Sequence, residues 1–273
     1  MQIEQDQRHR MPVFFGPAPG PRQMPAGRAD PKNSPRRTLI SLVCRADASG
    51  LEPLLPSGFS LWGEPRLVFE AQRLAEIDWL AGRGYDTFGV KIPVRYDKGD
   101  GPMYGHLLTV LFENLPDPII TGREELGFAK LYCEIDFPRL ADDALEVACS
   151  WLGFEFFRLE AEGLAPATEA QGSGGQAPQG VFHFRYFPRV GEPGKSDVAQ
   201  ITFTPAANPD ARVLGRRSGH GRARFRRGSW EDLPTLHYLV DRLAGLALED
   251  SGQLTVVESV GGKDLSDTVC LTR

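Results

Sequence analysis

Two long runs in β rhythm, Tyr85–Tyr96 and Tyr104–Phe112, meet at Asp97-Lys98-Gly99-Asp100-Gly101-Pro102, and this junction constrains the chain more than any other stretch. Glycine supplies left-handed backbone and aspartate bonds its own turn, so the two runs are predicted to fold back on each other as an antiparallel hairpin. Other segments read the same way: Arg37–Arg45, apolar on both faces as in a central strand, then Arg66–Leu74, Leu131–Phe137, Ala144–Glu160, Val181–Pro188, Ala199–Thr204 and Leu254–Val260. Helix is scarce. Asp47–Pro56 reads as a short helix stopped by proline, and Thr235–Leu248 as an amphipathic one with Leu236, Leu239, Val240, Leu243, Leu246 and Ala247 on one face. The expected class is α+β, mostly antiparallel β, with the sheet curled round an apolar interior.

Residues 1–35 do not join that pattern. Proline, glycine and arginine dominate, and Gly16-Pro17-Ala18-Pro19-Gly20-Pro21 can form neither helix nor central strand, which predicts an extended arm on the surface or on a neighbouring subunit. Residues 36–273 then form a single domain, long enough to bury a sizeable core. A Gly/Gln/Ser-rich stretch at 169–176, inside 162–180, reads as a flexible connection. The net charge of −5 gives no reason to expect nucleic acid or an anionic membrane as partner. The basic stretch Arg212–Arg227 does not change that, because Arg222, Arg224 and Arg226 alternate with Ala223 and Phe225 as along one side of a strand. Cys44, Cys133, Cys149 and Cys270 lie far apart, as reduced core residues of a cytoplasmic protein do. No histidine or cysteine spacing suggests a metal, no glycine-rich phosphate loop suggests a nucleotide cofactor, and no apolar run is long enough to span a bilayer.

One lysine stands out. Gly122-Arg123-Glu124-Glu125-Leu126-Gly127-Phe128-Ala129-Lys130 lies between the apolar runs Leu107–Phe112 and Ile119–Ile120 upstream and Leu131–Ile135 downstream, so it reads as a polar turn between buried strands. An ammonium group there is poorly solvated, and desolvation lowers a lysine's pKa, leaving free amine at neutral pH as a nucleophile toward a carbonyl. The bland alternative is a lysine whose stem covers apolar surface while its head reaches water.

The spacing Gly-Arg-Glu then Phe-x-Lys, with the lysine eight residues after the glycine, resembles the signature of the acetoacetate decarboxylase family. Glu64–Glu70, Ile92-Pro93-Val94 preceded by Tyr85, and Asp232-Leu233-Pro234 resemble further family segments, in family order. That family is itself the usual example of a lysine activated by desolvation or a nearby cation. The resemblance implies a curved, partly closed β-barrel of several copies, an imine formed on Lys130, and a catalytic Glu70 that moves the α-proton. It implies Arg123 and Glu124 as parts of the motif that shapes the site, with Arg123 reaching a substrate carboxylate, and Arg37 near the family's carboxylate-binding arginine. Phe128, Tyr85 and Trp79 are expected to wall the amine from water, and Glu258, on an apolar strand, is a second candidate acid/base. Gly261–Asp267 reads as an exposed turn without chemistry.

Two positions depart from the decarboxylases. A second lysine follows theirs directly, where this chain has Leu131, and a further glutamate precedes their Ile-Pro-Val proline by six residues, where this chain has Thr87. Imine chemistry needs only Lys130, so the resemblance implies a Schiff-base lyase without cofactor, acting on a small oxo acid. Pyruvate-type aldol condensation with dehydration, using an aldehyde co-substrate, is favoured. Decarboxylation of a 3-oxo acid and a ligand-binding barrel without turnover are the alternatives.

Overall fold

The computed structural model describes residues 3–97, 99, 101–137, 143–167 and 177–272. The strands among them are β1 (Arg36–Arg45), β2 (Phe59–Leu61), β3 (Arg66–Ile77), β4 (Arg83–Asp97), β5 (Pro102–Glu113), β6 (Lys130–Tyr132) and β7 (Glu134–Asp136), followed by β8 (Leu145–Trp151), β9 (Phe154–Pro166), β10 (Gly180–Pro188), β11 (Ser196–Pro205), β12 (Arg212–Phe225), β13 (Gly252–Val260) and β14 (Val269–Cys270). The short helices α1 (Ala48–Leu51), α2 (Pro116–Thr121) and α3 (His237–Ala244) complete the regular structure. The expected hairpin is β4–β5, in register from Thr87 opposite Glu113 to Asp97 opposite Pro102. Part of its turn, and the glycine-rich stretch 169–176, lie outside the described residues.

All the strands belong to one mixed sheet ordered β14-β11-β10-β5-β4-β3-β1-β13-β12-β9-β8-β7, with β2 beside β4 and β6 beside β5. Only β10 and β6 run parallel to their neighbour β5. The sheet is strongly curved. Five strand steps separate β4 from β9, about 24 Å on a flat sheet, yet the rings of Phe88 and Phe157 stack with centroids 3.9 Å apart. Phe69, Phe88, Phe112, Phe156 and Phe157 are essentially inaccessible to solvent, each contributing about 1.5–3 kcal/mol by burial. The path does not close, since β14 and β7 remain its two ends.

Four expectations on local structure change, the first being that Ala144–Glu160 divides at Leu152-Gly153 into the antiparallel pair β8 and β9. Ile119 and Ile120 belong to helix α2, because Pro116 and Pro118 suit a first helical turn and not a strand. Leu131–Phe137 splits at Cys133 into β6, which pairs with β5, and β7, which pairs with β8. Helix α3 stops at Ala244, and Leu248 instead bridges to Ala46, so tertiary pairing overrides the helical periodicity. No helix among the described residues is long and apolar enough to cross a membrane.

Register assigns each side chain to a face. Phe69, Ala71, Phe88 and Val90 turn toward the aromatic core, while Arg37, Gln72, Leu74, Tyr85, Thr87 and Glu113 occupy the other face. Lys130 is delivered to that second face.

Candidate active site

Lys130 begins β6, directly after an irregular turn. Helix α2 passes into a single π-helical turn over Gly122–Leu126, which ends where Gly127 takes φ +83° and donates its N–H to Gly122 O. Phe128 N–H bonds the same carbonyl at 3.1 Å. The chain thus doubles back, and the Lys130 side chain lies across the backbone of Gly122. A methyl group there would fall 2.4–2.7 Å from Lys130 Cε, Cδ and Nζ, so the lysine can hold this position only over glycine. Single π-turns recur at functional sites because they re-aim side chains in this way.

The amine is enclosed. Lys130 is 7 % exposed, and its Nζ lies 2.8 Å from Glu113 Oε1 and donates to Pro118 O at 2.9 Å. The Phe128 ring sits with its centroid 5.5 Å from Nζ and stacks on His183 at 3.8 Å. Burial drives the Lys130 ammonium below its usual range, against the pull of Glu113, and Arg22 lowers it further. Burial likewise raises the Glu113 carboxyl, against the pull of Lys130. Both shifts favour a neutral amine beside a neutral acid. Tyr85, whose phenol is raised by burial and by Glu113, also stays uncharged.

Next to Lys130 opens a cavity of about 510 Å³, lined by Arg22, Arg37, Gln72, Trp79, Tyr85 and Phe128 among others. The arm forms part of its wall and lies on its own chain. Arg22, with a side chain 3 % exposed, donates to Glu125 Oε2 at 2.8 Å and to Asp264 O at 3.1 Å, and Arg10 donates to Glu125 Oε1 at 2.7 Å. Residues 261–265, expected as an idle exposed turn, line the cavity as well.

The sequence-based candidates separate accordingly. Tyr85, Phe128, Trp79 and Arg37 line the cavity with Lys130, and Arg37 donates to Ser259 Oγ at 3.3 Å. Thr87 is buried opposite Glu113 in the strand register. Arg123 is exposed and donates to the backbone O of Lys130 at 2.8 Å, so it braces the start of β6 and does not face the cavity. Glu124 is half-buried outside the cavity lining, and its carbonyl accepts from Arg185 Nη2 at 2.7 Å. Glu70 is on the cavity side of the sheet but does not line the cavity. It pairs with Lys91 near His106 and Arg37, and although burial opposes it, Lys91 holds the carboxyl below its usual range. Glu258 is exposed, with Thr38 and Gly215 as its register partners, on the face that carries the aromatic core; it has no place beside Lys130.

Sequence reasoning missed Glu113, His183 and Arg22. Glu113 carries the same signal that singled out Glu70, a carboxylate closing an apolar strand, here Leu107–Phe112. Arg22 sends no periodic signal at all.

Comparison with known proteins gives the family and the fold. The acetoacetate decarboxylase (ADC) family pattern matches residues 10–262. The fold is similar to an acetoacetate decarboxylase from Legionella pneumophila subsp. pneumophila str. Philadelphia 1, at 20 % identity and TM-score 0.58 over 88 % of this chain and 91 % of that one. It is also similar to an acetoacetate decarboxylase-like enzyme from Sphingomonas wittichii RW1, at 17 % identity and TM-score 0.62 over 91 % and 96 % of the two chains. A third likeness is the enduracididine biosynthesis enzyme MppR complexed with pyruvate, at 14 % identity and TM-score 0.61 over 90 % and 93 %. No curated protein sequence matches the chain. With the pattern spanning nearly its whole length, the chain belongs to the acetoacetate decarboxylase family.

Proposed function

We propose that this protein is a Schiff-base lyase in which Lys130 attacks the ketone of a small oxo acid. The observation that carries the reading is the buried Lys130 amine, held between Glu113 and Pro118 O at one side of a 510 Å³ cavity. Burial shifts this amine toward its neutral form, as nucleophilic attack requires. The resulting iminium draws electrons from the neighbouring carbon, and loss of a proton there leaves an enamine. The enamine adds to an aldehyde, water is eliminated, and hydrolysis frees Lys130. Arg37 is the cationic side chain best placed for the substrate carboxylate, since it lines the cavity and Ser259 is the hydroxyl it holds.

Condensation is favoured over decarboxylation for three reasons. Pockets of 300–1,000 Å³ suit ligands far larger than a three-carbon acid, so this one has room for an acid and an aldehyde together. MppR, of similar fold, is described in complex with pyruvate and with the condensation product of pyruvate and imidazole 4-carboxaldehyde. The two positions where decarboxylases place a further lysine and glutamate are Leu131 and Thr87 here.

The test is intact mass after incubation with borohydride and either pyruvate or acetoacetate, followed by peptide mapping. An adduct is expected on Lys130, with pyruvate labelling faster. Labelling by acetoacetate alone would favour decarboxylation, and reversible binding without an adduct would favour the ligand-binding barrel. We further propose that the chain self-associates, because the arm exposes Met11, Phe14 and Phe15, 76–88 % accessible, within five residues. Light scattering at micromolar concentration should give a mass of at least two chains, and a 30.1 kDa particle would refute this.

A further inference from the structure

We infer that Glu113 is the catalytic acid and base of the imine step, passing protons between Lys130 Nζ and the oxygen lost from the substrate ketone. The inference rests on the Schiff-base reading above and adds a residue to it. Glu113 Oε1 lies 2.8 Å from Nζ, within hydrogen-bond reach of a reacting atom. The residue is 1 % exposed, and its second oxygen, Oε2, is buried without any hydrogen-bond partner. A buried carboxylate oxygen left unpaired is costly unless it carries a proton or meets a ligand. Glu125, by contrast, is bound by Arg10 and Arg22. Glu70 is committed to Lys91. Among the described residues, therefore, Glu113 is the carboxyl group in contact with the amine.

The proton accounting closes with this one group. From a neutral amine and a protonated Glu113, Nζ forms its bond to the carbonyl carbon while Glu113 gives its proton to the carbonyl oxygen. The resulting Glu113 carboxylate removes one proton from the now positive nitrogen, leaving a neutral carbinolamine. Glu113 then returns that proton to the hydroxyl group, the C–O bond breaks, and water leaves as the nitrogen lone pair completes the C=N bond. The products are the iminium, the Glu113 carboxylate opposite it, and one water. Hydrolysis runs the same transfers backwards.

The active form of the pair holds one proton between the two groups. Adding a second protonates the amine, and removing the first leaves no acid. The expected rate of adduct formation, measured with cyanoborohydride and whichever acid labels the wild type, passes through a maximum with pH once corrected for the pH dependence of hydride reduction of a preformed imine. Glu113→Gln, which keeps the shape, should label about 100-fold more slowly near that maximum. The variant's rate should also lose the alkaline fall, and its acid limb should move to lower pH because the carboxylate that raises the Lys130 pKa is gone. Equal rates in variant and wild type across the range would overturn the assignment. If the variant does not fold, the corrected wild-type profile decides alone, and a profile that rises to a plateau with no alkaline fall would overturn it. Absence of any adduct in the wild type, by contrast, would remove the Schiff-base reading itself.

Discussion

Gly122→Ala is expected to slow borohydride-trapped labelling of Lys130 by about 100-fold, although it leaves the amine in the chain. The added methyl would overlap the last carbons of the Lys130 side chain at 2.4–2.6 Å and its nitrogen at 2.7 Å. Lysine is flexible and can move aside, but moving aside takes Nζ away from Glu113 and Pro118 O and out of its place at the cavity. A displacement of about 1 Å at a reacting atom costs on the order of 100-fold in rate. Stability should respond differently. Gly122 has helical backbone angles, φ −69° and ψ −40°, where alanine is intrinsically better than glycine by about 1 kcal/mol. The clash and the propensity oppose each other, so the unfolding midpoint should change little while labelling collapses. Wild-type labelling by a folded Gly122→Ala protein would show that Lys130 does not lie across residue 122 when it reacts.

The second large effect concerns the arm. Glu125 gathers Arg10, Arg22 and, at 3.7 Å, Arg8. Removing one member of a buried ion pair leaves the others charged and undersolvated, so Glu125→Ala should cost about 3 kcal/mol. For a chain of this size that corresponds to a fall in Tm of roughly 6–12 °C. Residues 1–35 should become cleavable by trypsin, since their anchoring arginines are released. The contribution also depends on pH. Burial opposes ionisation of Glu125, but Arg22 and Arg10 overcome it and hold the carboxyl below its ordinary 4.5. A carboxyl with a depressed pKa in the folded state stabilises at neutral pH, and that contribution is lost as the pH falls through the lowered value. A loss below about 0.5 kcal/mol, within the range of ordinary surface substitutions, would mean that the arm is held by its other contacts.

Sequence periodicity reveals what repeats and little else. Hairpin β4–β5, the central strand β1 and the strand that carries Glu70 were readable, because alternation over nine or more residues reports which face is buried. Lys130 was readable by its unusual setting between apolar runs. The π-turn that aims it was not, because Gly122–Leu126 looks like any polar turn until the chain is seen to double back. The guanidinium fork of Arg123 suits a substrate carboxylate, yet it donates to the Lys130 carbonyl. Glu70 and Glu113 carry the same local signal, and only register separates them. Thr87 and Glu113 are cross-strand partners, and it is Glu113 that reaches Lys130, a contact that appears only once the strands are laid side by side.

The cavity wall is built from distant parts of the chain. Arg22 and Asp264 meet across 242 residues, and the segment that carries Lys130 lies between them. While the polypeptide is still being made, Lys130 emerges as an ordinary solvated lysine, its ammonium fully charged and inert toward carbonyls. Packing of residues 261–265 against the arm walls the cavity beside the amine. The reactive amine is thus a product of the completed fold, and no local segment around Lys130 carries it alone.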